Sequence, residues 1–284
     1  MSRSRIAAAA VGAFAAAGAA RYAYSVLRRT PPGGEKLWAR TNHRDEPVTL
    51  LEGPAVAAGA IIAALGAHPA IATAGAGAAA FGAYDDLNGS GDRRGFRGHM
   101  GALMQGEVTT GAVKLGGIGA TGLVSAFFVG GSPVDVALNA GLIAGGANLL
   151  NLFDLRPGRA IKVAVASGGL LAACSPSAVE SVAPAAGAAL ALLPEDLGER
   201  AMLGDSGANA LGAMLGAAAA ISLPRPARLG VLAGIAGLTA ASEKVSFTKV
   251  IERTPALRWL DMLGRRPAAP AGLPETTVSA TPEQ

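Results

Sequence analysis

Residues 111–154 read GAVKLGGIGATGLVSAFFVGGSPVDVALNAGLIAGGANLLNLFD. Two apolar stretches lie here, near 111–130 and 134–153, each within the about 17–25 residues that a membrane-crossing helix needs. The connection between them, Gly130 to Pro133, is too short to hold a site. Working outward, further apolar stretches occur near 6–27, 50–66, 69–84, 160–174, 177–193, 207–222 and 227–241. The expectation is an all-α fold, a polytopic transmembrane helical bundle of about nine helices with cytoplasmic loops forming the site. It occupies residues 1–266 as one integral membrane domain, and a Pro-, Ala- and Thr-rich tail, 267–284, is expected to be disordered.

Composition agrees. Hydrophobic residues make up 51% of the chain and charged residues 15%, against about 25% charged in soluble domains; mean hydropathy is +0.39. The apolar residues are small, with 40 Gly and only 4% aromatic. Small residues allow close approach of helix backbones in a bilayer, where bulk gives no hydrophobic gain between helices. An Ala-biased genome produces part of the same signal. The net charge of +4 is modest and the arginines are not interleaved with aromatics, which argues against a nucleic-acid groove. The one cysteine, Cys174, excludes an intramolecular disulfide and reads as a packing residue.

The cations are unevenly distributed. If the segments alternate across a membrane, one set of loops holds Arg28, Arg29, Lys36, Arg40, Arg44, Arg93, Arg94, Arg97, Arg156, Arg159, Arg200, Lys244, Lys249 and the arginines that follow, while the other side has only Arg3, Arg5, Arg225 and Arg228. The positive-inside rule makes the rich side cytoplasmic, with the N-terminus outside and the C-terminus inside, in a multi-pass plasma-membrane protein. The first segment could also be the apolar region of a signal peptide; its length and the arginines that follow it favour a retained helix.

Polar residues collect at the cytoplasmic helix ends. Tyr84-Asp85-Asp86 closes the third segment. Adjacent carboxylates there are solvated, paired, or holding a cation such as Mg2+, which takes hard oxygen donors and phosphates. Asn148, Asn151 and Asp154 recur every third residue, within one ~120° arc of a helix, which implies a water-filled cleft or interhelical hydrogen bonds. Leu203-Gly204-Asp205-Ser206-Gly207 opens the eighth segment, with Asp205 expected at the N-cap. Lys114, one turn into the fourth, either snorkels to the headgroups or meets a lipid phosphate. Two motifs are decoys. Gly117-Ile-Gly119-Ala-Thr-Gly122 lies in an apolar helix with no preceding strand, and Gly204-Asp205-Ser206-Gly207 lacks the other marks of a serine protease.

In this order, from about Asn42 to Arg266, the motifs resemble the polyprenyl-phosphate N-acetylhexosamine-1-phosphate transferase family, glycosyltransferase family 4, which includes phospho-N-acetylmuramoyl-pentapeptide transferases of peptidoglycan synthesis. Asp85-Asp86 looks like its Asp pair, Gly95-Phe96-Arg97-Gly98 leading to Lys114 like its basic loop and lysine, Asn148, Asn151, Leu152 and Asp154 like its Asn-x-x-Asn-Leu-x-Asp segment, and Leu203 to Ala208 like its Met-Gly-Asp-x-Gly-Ser segment. The resemblance implies transfer of a sugar 1-phosphate from a UDP-sugar to polyprenyl phosphate, with Asp205 holding Mg2+, Asp85, Asp86, Asp154 and Lys114 in catalytic roles, and Asn148 and Asn151 at the substrate.

This chain departs from the family in two places. Pro157 stands where the family has a second Asp, and the histidine cluster of the last cytoplasmic loop is missing, the only histidines being His43, His68 and His99. Ser242 to Lys249 occupies that region with no tenth helix evident after it, and Lys244 and Lys249 are candidates to supply phosphate charge instead. A non-catalytic relative that binds polyprenyl phosphate or a wall-synthesis partner is the alternative, and a transporter the third reading. Assembly as a homodimer is left open.

Overall fold

The computed structural model describes residues 2–89, 101–102 and 104–267. The Gly95 to Gly98 loop, the arginines beside it, His99 and the tail from 268 lie outside these residues. The described residues are 77% helical with almost no sheet. Each of the nine apolar stretches falls on a helix: α1 Arg3–Arg29, α3 Glu52–Ala64, α4 Pro69–Asn88, α5 Thr110–Val129, α6 Pro133–Phe153, α7 Arg159–Cys174, α8 Ala178–Leu197, α9 Gly204–Ser222 and α10 Arg225–Ser242. Three of them, α1, α5 and α6, are long and apolar enough to cross a membrane. At 1.5 Å per residue α3 spans only about 20 Å, short of the ~30 Å hydrocarbon core.

The smaller elements have no counterpart in the sequence reading: α2 Glu35–Trp38, strands β1 Ala39–Thr41 and β2 Pro47–Thr49, and a C-terminal pair, α11 Phe247–Arg253 and α12 Pro255–Met262. The strands form an antiparallel hairpin with Ala39 opposite Thr49, and Thr49 bridges to Ala201 before α9.

Helices α1 and α8 run side by side in the same direction. Arg5 near the start of α1 lies 4.0 Å from Glu180 near the start of α8, and Arg21 toward the end of α1 bonds Glu195 near the end of α8 at 2.9 Å. At the opposite end of the bundle from the acidic loops, Arg225 and Arg228 at the start of α10 pair with Asp135 at the start of α6 at 2.7 and 3.1 Å.

Helix α9 is the centre of the packing. It meets α3, α4, α6 and α8, and it is buried without a break from Ser206 to Met214 and again from Gly216 to Ala220. Its small side chains permit this. A Cβ on Gly146 would stand 2.6 Å from the Gly212 carbonyl oxygen, and one on Gly59 in α3 would stand 2.6 Å from the Ala16 oxygen of α1. Close contact of this kind is what a small-residue bundle exploits. By contrast α10 has no buried residue and packs chiefly on α6.

Candidate phosphate and cation site

The packing of the helices delivers the end of α4, the start of α5, the end of α6 and the start of α9 to one place. Asp85 and Asp86 lie in the last turns of α4, Lys114 in the first turns of α5, Asp154 at the C-cap of α6, and Asp205 in the first turn of α9. The Lys114 ammonium donates to Asp85 Oδ2 at 2.7 Å and to Asp205 Oδ2 at 2.5 Å. Lys114 therefore neither snorkels to headgroups nor stands free: with 15% of its side chain exposed, it bridges two carboxylates. Those carboxylates also lie within hydrogen-bond reach of each other, and Thr110 reaches Asp85.

The expected N-cap is corrected. Helix α9 begins at Gly204, and Leu203 occupies the cap position with no capping side chain of its own. The cap comes from another helix: Asp86 Oδ1 accepts from the Asp205 N–H at 3.0 Å and Oδ2 from the Ser206 N–H at 2.9 Å. A carboxylate at a helix N-terminus satisfies free donors and meets the positive end of the helix dipole. Gly204 is required here on two counts. Its φ is +58°, and a Cβ would lie 3.0 Å from both Asp86 oxygens. Arg40 from the hairpin in turn donates to the Asp86 main-chain oxygen.

Asp154 accepts from the Gly204 N–H, so three successive amides at the start of α9 are held by carboxylates. Burial, reinforced by Asp196, Asp205 and Asp86, pushes the Asp154 carboxyl well above the usual range, against the Gly204 hydrogen bond. Asn148 and Asn151 share this end of α6 and are half-buried; among the described residues neither side chain has a hydrogen-bond partner. Of the polar stripe only Asp154 makes an interhelical bond, to the Gly204 N–H; Asn148 and Asn151 make none among the described residues.

Lys244 and Lys249 are exposed, and no ion pair joins either to the acidic cluster among the described residues. Their segment is anchored nearby, through Phe247 stacked on Phe153 at 5.0 Å between centroids and Thr248 bonded to Arg159 at 2.9 Å. On the far side of Asp154 a cavity of about 220 Å3 is walled by Asn42, His43, Arg156, Asp196 and Glu199. Asp196 and Glu199 come from the Pro194 to Arg200 stretch, whose density of acids is the only mark it carries in the sequence.

Among the described residues no three His, Cys, Asp or Glu side chains form a group able to hold a metal ion. The donor chemistry that remains is a pair. Asp85 and Asp205 offer adjacent hard oxygens, whereas both Asp86 oxygens are committed to backbone amides. Such a pair fits Mg2+, which commonly takes one or two carboxylates and completes its shell with water and phosphate. Like charges that close repel by about 4 kcal/mol at ~4 Å and an effective dielectric of 20, a repulsion that a cation or a shared proton relieves, and among the described residues Lys114 is the cation placed between them. Neither a family model nor a curated protein matches the chain.

Proposed function

We propose that this protein is a Mg2+-dependent phosphoglycosyltransferase of the cytoplasmic membrane face, moving a sugar 1-phosphate from a UDP-sugar to polyprenyl phosphate in envelope polysaccharide or peptidoglycan synthesis. The observation that carries the reading is the convergence of Asp85, Lys114, Asp154 and Asp205 from four helix ends. The nine apolar helices, the short α3 among them, would form a bundle in the plasma membrane, with the N-terminus outside and the site inside. Large apolar side chains facing outward, such as Phe14, Phe127, Phe128 and Leu170, support a lipid surround. The pairing of Arg225 and Arg228 with Asp135 supports the orientation, since its carboxylate offsets one of the two positive charges on the poorer side.

In the proposed reaction an oxygen of the lipid phosphate forms a bond to the sugar-side phosphorus of the UDP-sugar. The bond from that phosphorus to the bridging oxygen breaks, and the electron pair leaves on UMP. Bound Mg2+ supplies charge neutralisation at the diphosphate, with Asp205 and Asp85 as its protein ligands. Lys114, which stands between the two carboxylates that would hold the ion, would bring its ammonium to a phosphate oxygen of the substrate. Asp86 and Asp154 hold the first amides of α9 and so fix where Asp205 stands. Asn148 and Asn151, half-buried on the same end of α6 as Asp154, are available to hydroxyls or phosphate of a substrate.

The test is purified protein incubated with undecaprenyl or decaprenyl phosphate and a panel of UDP-sugars, reading UMP. Release with at least one sugar, abolished in Asp205→Ala, supports the transferase. Binding of polyprenyl phosphate with no UMP from any sugar transfers support to a non-catalytic lipid-binding relative, the reading that the exposed positions of Lys244 and Lys249 favour.

A further inference from the structure

Helix α12, Pro255-Ala-Leu-Arg-Trp-Leu-Asp-Met262, is inside out. Its one buried residue is the acidic Asp261, while Leu257, Trp259, Leu260, Met262 and the following Leu263 are exposed, Trp259 by 65%. A helix on the surface of a water-soluble protein does the reverse, burying its apolar stripe and showing its charges to solvent. The inward face is held firmly. Arg159 at the start of α7 donates to both Asp261 oxygens at 2.7 and 3.0 Å, Arg265 donates to Oδ2 at 2.8 Å, and Lys162 donates to the Asp261 main-chain oxygen at 2.6 Å. The outward face is therefore fixed by the clamp on the inward one, and an apolar environment is what that face fits.

We propose that α11 and α12 form a monotopic anchor lying in the headgroup region of an anionic bilayer, with Trp259 at the boundary between headgroups and acyl chains. This rests on the membrane-spanning reading above. Three observations select lipid as the occupant. The pair sits where the long helices end, against Phe153 of α6, Arg159 of α7 and, through Gly264, Leu197 of α8. Indole combines an apolar body with a polar N–H and favours that boundary. Lys244, Lys249, Arg253 and Arg258 are exposed without an ion pair among the described residues, and they flank the apolar face with charge complementary to anionic headgroups. A second copy docked face to face would bring these cations against their own like.

The chain has two tryptophans, so Trp38→Phe leaves Trp259 as the reporter. The full chain is reconstituted in phosphatidylcholine and phosphatidylglycerol bilayers carrying bromine either near the glycerol end or near the methyl end of the acyl chains. The expected result is quenching of Trp259 that is stronger with the shallow bromines, as for a helix seated about 5–10 Å into the boundary. Should Trp38→Phe fail to fold, since Trp38 is buried and bonded to the Pro32 oxygen at 2.7 Å, wild type minus Trp259→Phe gives the same signal. Insertion is checked with Phe127→Trp in a chain carrying Trp38→Phe and Trp259→Phe, position 127 being exposed on α5. Quenching of that reporter but not of Trp259 overturns the anchor and leaves the membrane reading standing. Quenching of neither overturns both. Trp259 emission that ignores bromine but shifts with protein-to-lipid ratio overturns the anchor in favour of a second copy.

Discussion

Asp86 is the residue whose replacement separates positioning from chemistry. Its two oxygens accept from the Asp205 and Ser206 amides at 3.0 and 2.9 Å, and the Gly204 turn leaves no room for another cap. Asp86→Ala strands two N–H groups at the end of a buried helix. Each costs about 1–3 kcal/mol when fully cut off from water. The opening left by the missing carboxylate admits water, and removal of one negative charge relieves Asp205, so the low end applies and the expected loss is about 2 kcal/mol, comparable with the largest N-cap effects. For a chain of this size that is a fall in Tm of about 3–4 °C. Asp86→Asn keeps the shape and one acceptor oxygen, and is expected to lose about half as much. The assay is thermal unfolding of detergent-purified variants alongside UMP release. An unchanged Tm in Asp86→Ala would refute the cap, and an unchanged Tm with abolished transfer would return Asp86 to direct contact with substrate or metal.

Lys114→Ala frees the Asp85 and Asp205 oxygens; transfer should be lost, while stabilisation of Tm by Mg2+ should grow, and an equal Mg2+ response in both proteins would argue against a shared cation position. Gly82→Ala places a Cβ into the Asp205 main-chain oxygen, which cannot rotate away; a loss of about 1–3 kcal/mol and reduced transfer are expected by the same two assays, with Gly230→Ala, where nothing lies within 4 Å, as the control. Burial alone would raise the Asp261 carboxyl, but the Arg159 hydrogen bonds and the charges of Arg159, Arg265 and Lys162 outweigh it and hold the group below its ordinary value. A depressed folded-state pKa means that this stability is present above about pH 4 and is lost as pH falls through the depressed value, so trypsin cleavage at Arg253 and Arg258 should be insensitive to pH between about 6 and 8. Asp261→Asn leaves the buried Arg159 uncompensated, at about 3 kcal/mol or more, which is roughly a hundredfold more opening and faster cleavage. In a Cys174→Ser background, Asn88→Cys should be shielded from an impermeant thiol reagent in intact cells and Ser132→Cys should react; the reverse pattern would put the acidic cluster outside, away from UDP-sugars.

The long helices are legible because their signal is local. A run of apolar residues between glycines and charges marks a helix whatever it later packs against, and all nine stretches are helical to within about one turn. The acidic motifs are legible for the same reason, since each sits where an apolar run stops. Features set by a distant partner are not. Asp205 carries the residue type and place of an N-cap, yet the acceptor arrives from Asp86, 119 residues earlier, and the helix starts sooner, at Gly204. The strands of the hairpin have three residues each and are held by Ala201, so no alternating pattern reports them. Lys114 reads as a lipid-facing cation because the sequence does not say which way a side chain on a helix points. Asp261 and Arg159 are 102 residues apart, and neither position is unusual by itself.

The small residues that mark the chain as a tight bundle also set the geometry of the site. Gly53 of α3 and Gly82 of α4 stand where a Cβ would run into the main-chain oxygens of Leu203 and Asp205, and a Cβ on Gly207 would lie 2.7 Å from the Gly53 Cα. The start of α9 is thus located by backbone against backbone on two sides, with Asp86 and Asp154 fixing its amides. Backbone contacts have no rotamers to relax through, so they position a group more sharply than side-chain packing does. A site that must hold one carboxylate beside another, with a single lysine between them, needs that rigidity, because the repulsion would otherwise move the helix ends apart. The Gly and Ala content that lets the helices pack closely is, at this end of the helical bundle, what keeps Asp85 and Asp205 within reach of Lys114.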